Sequence, residues 1–426
     1  MSGPLTGIKV FELSQIVAAP YCGLNLVDLG ADVIKVEPPE GEGFRHLGAF
    51  LPGESKTFHT LNRGKRSLTL DLKVPAAQAL VRRVIPQFDV FIMNSRPGVA
   101  ARLGVDYPTL SAIRPDLVYL ENTGYGDQGP GAARSGSDIA AQAYSGLMFG
   151  EGKVDEWGGP DLIGSTAMAD YATGLAAAMG IAAALFRRAT DGSGELIQTS
   201  LLASALSLQN QRITRIPVAD ELRERPMLEA LNAVRASRGS YRELVGARER
   251  ALKGQNKAFR LYYRSYQAKD GAITLGALTR QNQDQIRRVL GIDDDPTADP
   301  DFNALDTSLD PLVDAMGERI RRIIATRTVE EWVERFDAAG APASPVNVPE
   351  EMADDPQVRA IDMIIDVDHE LVGPEQHVGP IVKMRNHPPD NRRPSPTLGR
   401  HNDEVLAELG LTPAEIAALR SVHAIT

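Results

Sequence analysis

Between residues 8 and 123, short apolar runs alternate with stretches whose apolar residues recur at helical spacing, the pattern of successive βαβ units on a parallel sheet. The runs predict strands at Ile8–Leu13, Asp32–Glu37, Ser67–Leu72, Asp89–Met93 and Leu117–Glu121. The helix between the first two has Pro20 at its start, Gly30 at its end, and Leu24, Val27 and Leu29 between. From Gly164 to Gly194 the pattern changes. After Asp170 no residue is charged until past Phe186, so the predicted helix is apolar on every face and belongs in a core. Rich in Ala and Gly, the run falls short of the ~20 strongly apolar residues of a bilayer span, so no membrane contact is expected. Residues 195–209 then read as strand followed by helix.

The second half is patterned differently. From Glu221 to Lys257 the chain is charge-rich and only weakly amphipathic, as expected of a linker. Leu261–Gln267 and Ala272–Leu278 flank an Asp270-Gly271 turn and predict a hairpin. Helices follow near Gln281–Leu290, Leu309–Ala325 and Val329–Ala339, and after Gly340 the segments APASPVNV and HVGPIVKM read as strands returning to a sheet. TPAEIAALR, from Thr412, carries a capping box with Pro at the first helical position. At 426 residues the chain exceeds one typical core. The expected organisation is a large α/β domain begun by residues 1–220, a linker at 221–257, a small domain at 258–340, and a return segment at 341–426 completing the large domain.

Charge narrows the function. A net charge of -10 and a pI near 5.3 argue against a nucleic-acid partner, so a phosphate-bearing ligand must be met by a local cluster of cations. Positive charge concentrates at Arg63, Lys65, Arg66, Lys73, Arg82, Arg83, Arg96 and Arg102. Arg82 and Arg83 lie on a helical stretch and read as solvated face. The others fall near strand ends, where open α/β sheets bind ligands. The single cysteine, Cys22, excludes an intrachain disulfide and a cysteine-built metal site, and fits a reducing cytosol. The seven His residues lack HExxH spacing or any tight pairing, so no metal is implied. The start, MSGPLTGIKVFEL, has no basic residues leading into a long apolar run, so no signal peptide and a cytoplasmic location are expected. Gly124, Gly126 and Gly129 form a GxGxxG, but Pro130 and Gly131 follow where a dinucleotide site needs a helix. The stretch reads instead as a long loop, and loops of this length are often functional.

Asp170 opens the apolar helix, where the dipole and free N–H groups stabilise an anion at the edge of a dry interior. Asp is a common cap in such a place. It is also a nucleophile, and the stretch alone leaves both readings open.

Taken together, GIKVFELSQIVAAPYCGLNLVDLGADVIKVEPPEG, NRGKRSLTLDLK, NSRPGVAARLGVDY, GYGDQGPGAARSGSDIAAQAYSGL, the segment around Asp170 and LGRHNDEVLAELGL resemble family III CoA-transferases, the group that includes formyl-CoA and carnitine CoA-transferases. The likeness covers nearly all of residues 5–210 and, more thinly, 335–411. It implies an α/β fold with an open parallel-sheet, Rossmann-like large domain and a smaller α+β domain. It also implies an interlocked homodimer, two chains linked as rings, with the active site between one subunit's large domain and the other's small one. The implied substrates are an acyl-CoA and a carboxylic acid, with no tightly bound cofactor and no ATP. Asp170 is the implied catalytic aspartate. Its carboxylate attacks the donor thioester to give a mixed anhydride and CoA thiolate, the thiolate attacks the aspartyl carbonyl, and an acceptor acid collects the CoA by the reverse steps. CoA contacts are implied for Val17, Ala18, Leu70, Asp71, Lys73, Asn94, Ser95, Arg96, Arg102, Arg134, Ser135 and Asp138. For Asp138, a cap on the following helix, Ile139–Gly146, is the equal alternative.

Departures limit the carry-over. Val17 stands where formyl-type members have glutamine, so oxalate is not implied as acceptor, and isolated Gly246 and Gly254 replace a glycine run, so no lid is identified. Racemases of 2-methylacyl-CoA thioesters, a neighbouring group on the same fold, carry a His at the position of Ser137 and a Glu at that of Thr279. Neither residue here titrates, which favours transfer over racemisation. A CoA-binding protein without activity is the remaining alternative, and the presence of Asp170 speaks against it.

Overall fold

The computed structural model describes residues 3–222, 224–253, 257–303, 306–388 and 392–426. The chain divides into two compact units, one holding the residues up to Lys153 with Pro160–Thr214 and Pro356–Thr426, the other Val154–Gly159 and Arg215–Asp355.

In the first unit β1 (Lys9–Leu13), β2 (Asp32–Glu37), β3 (Arg66–Thr69), β4 (Val90–Met93), β5 (Val118–Thr123) and β6 (Glu195–Ser200) form one sheet in the order β3-β2-β1-β4-β5-β6. Every pairing is parallel. Parallel strands are covered on both faces, which is why they read as near-continuous apolar runs; β4, VFIM, is buried at all its positions. The order reverses between β1 and β4, and such a switch point leaves a crevice beyond the carboxyl ends of those strands.

Helix α1 (Ala18–Asp28) connects β1 to β2, α2 (Lys56–Asn62) precedes β3, and α3 (Asp138–Ser145) and α4 (Met168–Asp191) lie between β5 and β6. Ala177, Ile181 and Leu185 of α4 pack with Cys22 and Leu26 of α1 on strand residues Val10, Val90 and Val118. Gly174 permits this approach, because a Cβ there would lie 2.6 Å from the Ala18 carbonyl oxygen. The helix is not buried on every face, as its sequence predicts. Leu175, Met179 and Phe186 form a stripe that is 41%, 72% and 78% exposed. Nor is it short: its 24 residues are long and apolar enough to cross a membrane by length and composition, and what marks it as a core helix is its packing on α1 and the sheet.

The return of the chain also differs from expectation. Its first strand, Ala343–Pro345, pairs with Ala272–Gly276 in the second unit, and Gly373–Val378 pairs only with Ile364–His369 as a separate hairpin. The first unit is completed by helices. Leu406 and Leu409, with Ile416 and Leu419 of the capping-box helix Pro413–Ser421, join Phe11, Leu68 and Phe91 in the core on the sheet's other face.

The second unit has an antiparallel sheet in which Tyr263–Gln267 and Ala343–Pro345 flank Ala272–Gly276. Helices Arg280–Leu290, Asp310–Ile324 and Val329–Ala338 bury Ile286, Ile320 and Trp332 against it. The expected linker is largely helix, with Glu224–Ala236 packed on Tyr241–Lys253. Residues 223 and 254–256, Gly254 included, lie outside the described residues.

Candidate active site

The loops leaving β1, β4 and β5 surround a cavity of about 690 Å³ in the first unit, at the switch point of the sheet. The loop after β1 is fixed from two sides. Gln15 N–H donates to Asn94 Oδ1 at 3.0 Å, and Asn94 Nδ2 donates to the Gln15 carbonyl at 2.7 Å. From the loop after β2, Glu42 accepts the Ile16 N–H at 2.8 Å. These bonds hold Ile16 at φ +72°, a left-handed conformation costly for a β-branched residue, at ~1–3 kcal/mol. The chain then enters α1, whose Ala18 N–H donates to the carboxylate of Asp170.

Asp170 lies in the first turn of α4 and is 8% exposed. Burial raises its pKa and the nearby Asp138 carboxylate raises it further, while the Ala18 N–H pulls the other way, leaving it at about 7. The expected stabilisation of the anion by the helix terminus is therefore outweighed. Asp138 also differs from the role expected of it. The Ser137 hydroxyl caps α3, accepting from Ala140 N–H. Asp138 Oδ1 instead accepts from Ala169 N–H at 2.8 Å and Asp170 N–H at 3.2 Å, capping α4, whose own N-cap, Ala167, has no side chain to do so. Its Oδ2 accepts from Gln142 Nε2 at 2.6 Å, and Gln142 Oε1 accepts from Ile163 N–H at 3.0 Å, tying the segment before α4 to the same support.

Of the residues expected to meet CoA, Ala18, Asn94, Ser95, Arg96, Arg102, Arg134 and Asp138 line the cavity with Asp170. Arg96, Arg102 and Arg134 are exposed, and none has a salt bridge among the described residues. Val17 and Ser135 adjoin lining residues without lining the cavity themselves. Leu70 is in the core, Asp71 donates its N–H to the Ala424 carbonyl, and exposed Lys73 stands apart from the cavity. The strand-end cations expected to hold phosphate are instead partly structural. Arg63 pairs with Asp28, Lys65 with Glu12, and Arg66 with Asp32, Glu404 and Glu408. Arg83, expected as solvated face, pairs with Glu415.

Gln15, Ile16, Asn122 and Thr123 also line the cavity and escaped the sequence reading, although each lies in a loop after a predicted strand. The glycines of the loop after β5 have a steric purpose. A Cβ on Gly124 would lie 2.5 Å from Gly136 Cα, so the two close the loop by a backbone crossing that no other residue type permits. Thr279, at the second racemase position, caps the helix Arg280–Leu290.

An open parallel sheet, a crevice at its switch point and a buried carboxylate of raised pKa inside that crevice are the architecture of an α/β enzyme. The chain belongs to CoA-transferase family III, whose model matches residues 5–402, and it is a transferase of acyl-CoA metabolism. It is similar to the succinate–glutarate CoA-transferase of Agrobacterium fabrum, 34% identical over 423 residues that cover 95% of this chain and 96% of that one. It is also similar to the human succinyl-CoA:glutarate CoA-transferase, 29% identical over 410 residues covering 95% of this chain and 86% of that one. Among solved structures, a hypothetical protein from Mycobacterium tuberculosis matches with a TM-score of 0.74 at 26% identity, over 94% of this chain and 98% of that one.

Proposed function

We propose that the protein moves CoA from an acyl-CoA thioester to a carboxylic acid with Asp170 as covalent nucleophile, and that the acids it serves are short dicarboxylates. The observation that carries this reading is the Asp170 carboxylate, at about pKa 7, in a cavity that also presents three arginines. A carboxylate of that basicity is a stronger nucleophile than an ordinary one and is still about half ionised at neutral pH.

An Asp170 oxygen attacks the thioester carbonyl, the C–S bond breaks, and the electron pair leaves with CoA as thiolate, giving an aspartyl mixed anhydride. The thiolate then attacks the aspartyl carbonyl and expels the donor's carboxylate, leaving CoA on Asp170. An acceptor carboxylate reverses both steps and frees Asp170. The Ala18 N–H, already directed at this carboxylate, supports negative charge developing on the aspartyl oxygen. Arg96, Arg102 and Arg134 suit the phosphates of CoA. Burial around Asp170 keeps water from the anhydride.

The dicarboxylate part rests on the named substrates of the two relatives, succinyl-CoA or succinate with glutarate. The test is to incubate purified protein with a panel of acyl-CoAs and free acids and to follow new thioesters by mass spectrometry. CoA exchange between C4 and C5 dicarboxylates is expected to exceed exchange with monocarboxylates of equal length by tenfold or more. Equal rates for the two classes contradict the assignment of acids, and no exchange with any pair contradicts the transferase reading.

A further inference from the structure

We infer that Glu54, His59 and His369 form a buried binding site for a divalent transition-metal ion of the zinc type, separate from the Asp170 cavity, none of whose lining residues it shares. Glu54 lies just before α2, His59 within it, and His369 ends the strand Ile364–His369, so more than 300 residues of chain separate the two imidazoles. The three side chains are 2–3% exposed, and their candidate ligand atoms lie within 4.8 Å of one another.

Three observations point to an ion. The first is the donor set, two imidazoles and a carboxylate, which suits zinc. His59 Nε2 is 2.8 Å and His369 Nε2 3.9 Å from Glu54 Oε2. The second is an orphan. His369 Nε2 is buried without a hydrogen-bond partner and faces Glu54, and buried polar groups are rarely left so. The third is support around the ligands. His59 Nδ1 is held by Glu375 Oε1 at 2.5 Å, and Glu375 Oε2 meets His377 Nε2 at 2.8 Å, the outer carboxylate that fixes a metal-bound imidazole in one tautomer. Charge agrees. Glu54 and Glu375 converge on one imidazole, and Arg45, which pairs closely with Glu37, stands 3.8 Å from Glu54 Oε1, on the carboxylate oxygen away from the two imidazoles.

Binding has two local costs: the His59 Nε2–Glu54 Oε2 hydrogen bond at 2.8 Å gives way to the ion, and a bond at His369 is lost. His369 Nδ1 accepts the Leu371 N–H at 3.2 Å, so an ion on Nε2 shifts the ring proton to Nδ1 and turns that N–H to water. Leu371 is 59% exposed in the hairpin turn, where water takes it over readily. The ion then pins the hairpin Ile364–Val378 to α2.

The test uses the full chain purified without chelator from zinc-supplemented medium, with metal content measured by inorganic mass spectrometry after desalting. About one zinc per chain is expected, with a Tm that falls on EDTA treatment and recovers when zinc alone is returned. Glu54→Gln and His369→Gln are expected to lower retained zinc at least tenfold. Should either variant fold poorly, cobalt titration of stripped wild-type protein gives a second readout, a visible absorption band of a four-coordinate nitrogen–oxygen site. Less than a tenth of an equivalent of zinc in wild type, with no Tm response to added zinc and no cobalt band, overturns the inference. So does full zinc retention by both variants, which places the metal elsewhere.

Discussion

At Asp170 the helix terminus and the Ala18 N–H favour the anion, while burial and Asp138 oppose it, and the opposition wins. That has a thermodynamic sign. A folded pKa above the unfolded one gives stability that is present below the unfolded value, near 3.8, and lost as pH rises through about 7. At ~1.36 kcal/mol per pH unit, the ionised carboxylate costs the fold about 4 kcal/mol at pH 8. Asp170→Asn is therefore expected to abolish CoA transfer yet to be more stable than wild type at pH 8, with the difference vanishing near pH 4. Urea unfolding at the two pH values checks this, and a variant less stable than wild type at pH 8 contradicts it. The position of Asp170 at the start of an apolar helix was legible in the sequence. The sign of its electrostatics was not, because it depends on how deeply folding buries the carboxylate and, after that, on Asp138, which lies more than thirty residues away in the chain.

Among the elements, α4 shows how one residue serves two. Asp138 starts α3 and caps α4, so its charge adds to the effect of burial in raising the basicity of Asp170 while its oxygen fixes the helix that carries Asp170. Asp138→Asn keeps an acceptor for the two N–H groups and removes the charge. The acid limb of the pH–rate profile, expected near pH 7 in wild type, should then move to lower pH. An unmoved limb rules out electrostatic coupling of the two acids. The strands and most helices were readable because parallel strands and one-sided helices leave distinct periods. The helices within the segment 221–257, expected as a linker, were not read because its charge concealed a helical period. Of the strands read after Gly340, Ala343–Pro345 forms but joins the second unit's sheet, and HVGPIVKM contributes only His377 and Val378 to the strand Gly373–Val378, because a short apolar run carries no address for the sheet it joins.

For the whole molecule, the family resemblance implies a homodimer, and the stripe of Leu175, Met179 and Phe186 on α4 gives that reading a physical motive, since a soluble chain rarely leaves such side chains aligned in water. A homodimer is expected by size exclusion with light scattering from micromolar to nanomolar concentration, with unfolding that depends on protein concentration where reversible. An active monomer of 46.0 kDa anywhere in that range contradicts it. Family and sheet were legible because they rest on contiguous motifs and periods, as does the helix start that carries Asp170. The buried ion pairs that claim Arg63, Lys65 and Arg66, and the convergence of Glu54, His59 and His369, were not, because each joins residues distant in the chain. The most direct test of the central claim is to trap the enzyme during turnover: wild-type protein with a competent acyl-CoA donor is quenched with hydroxylamine, digested, and mapped by mass spectrometry. Conversion of the Asp170 side chain to its hydroxamate, dependent on the donor and absent from Asp170→Asn, is the expected result. Turnover with Asp170 unmodified, or with the modification on another carboxylate such as Asp138, contradicts Asp170 as the covalent nucleophile.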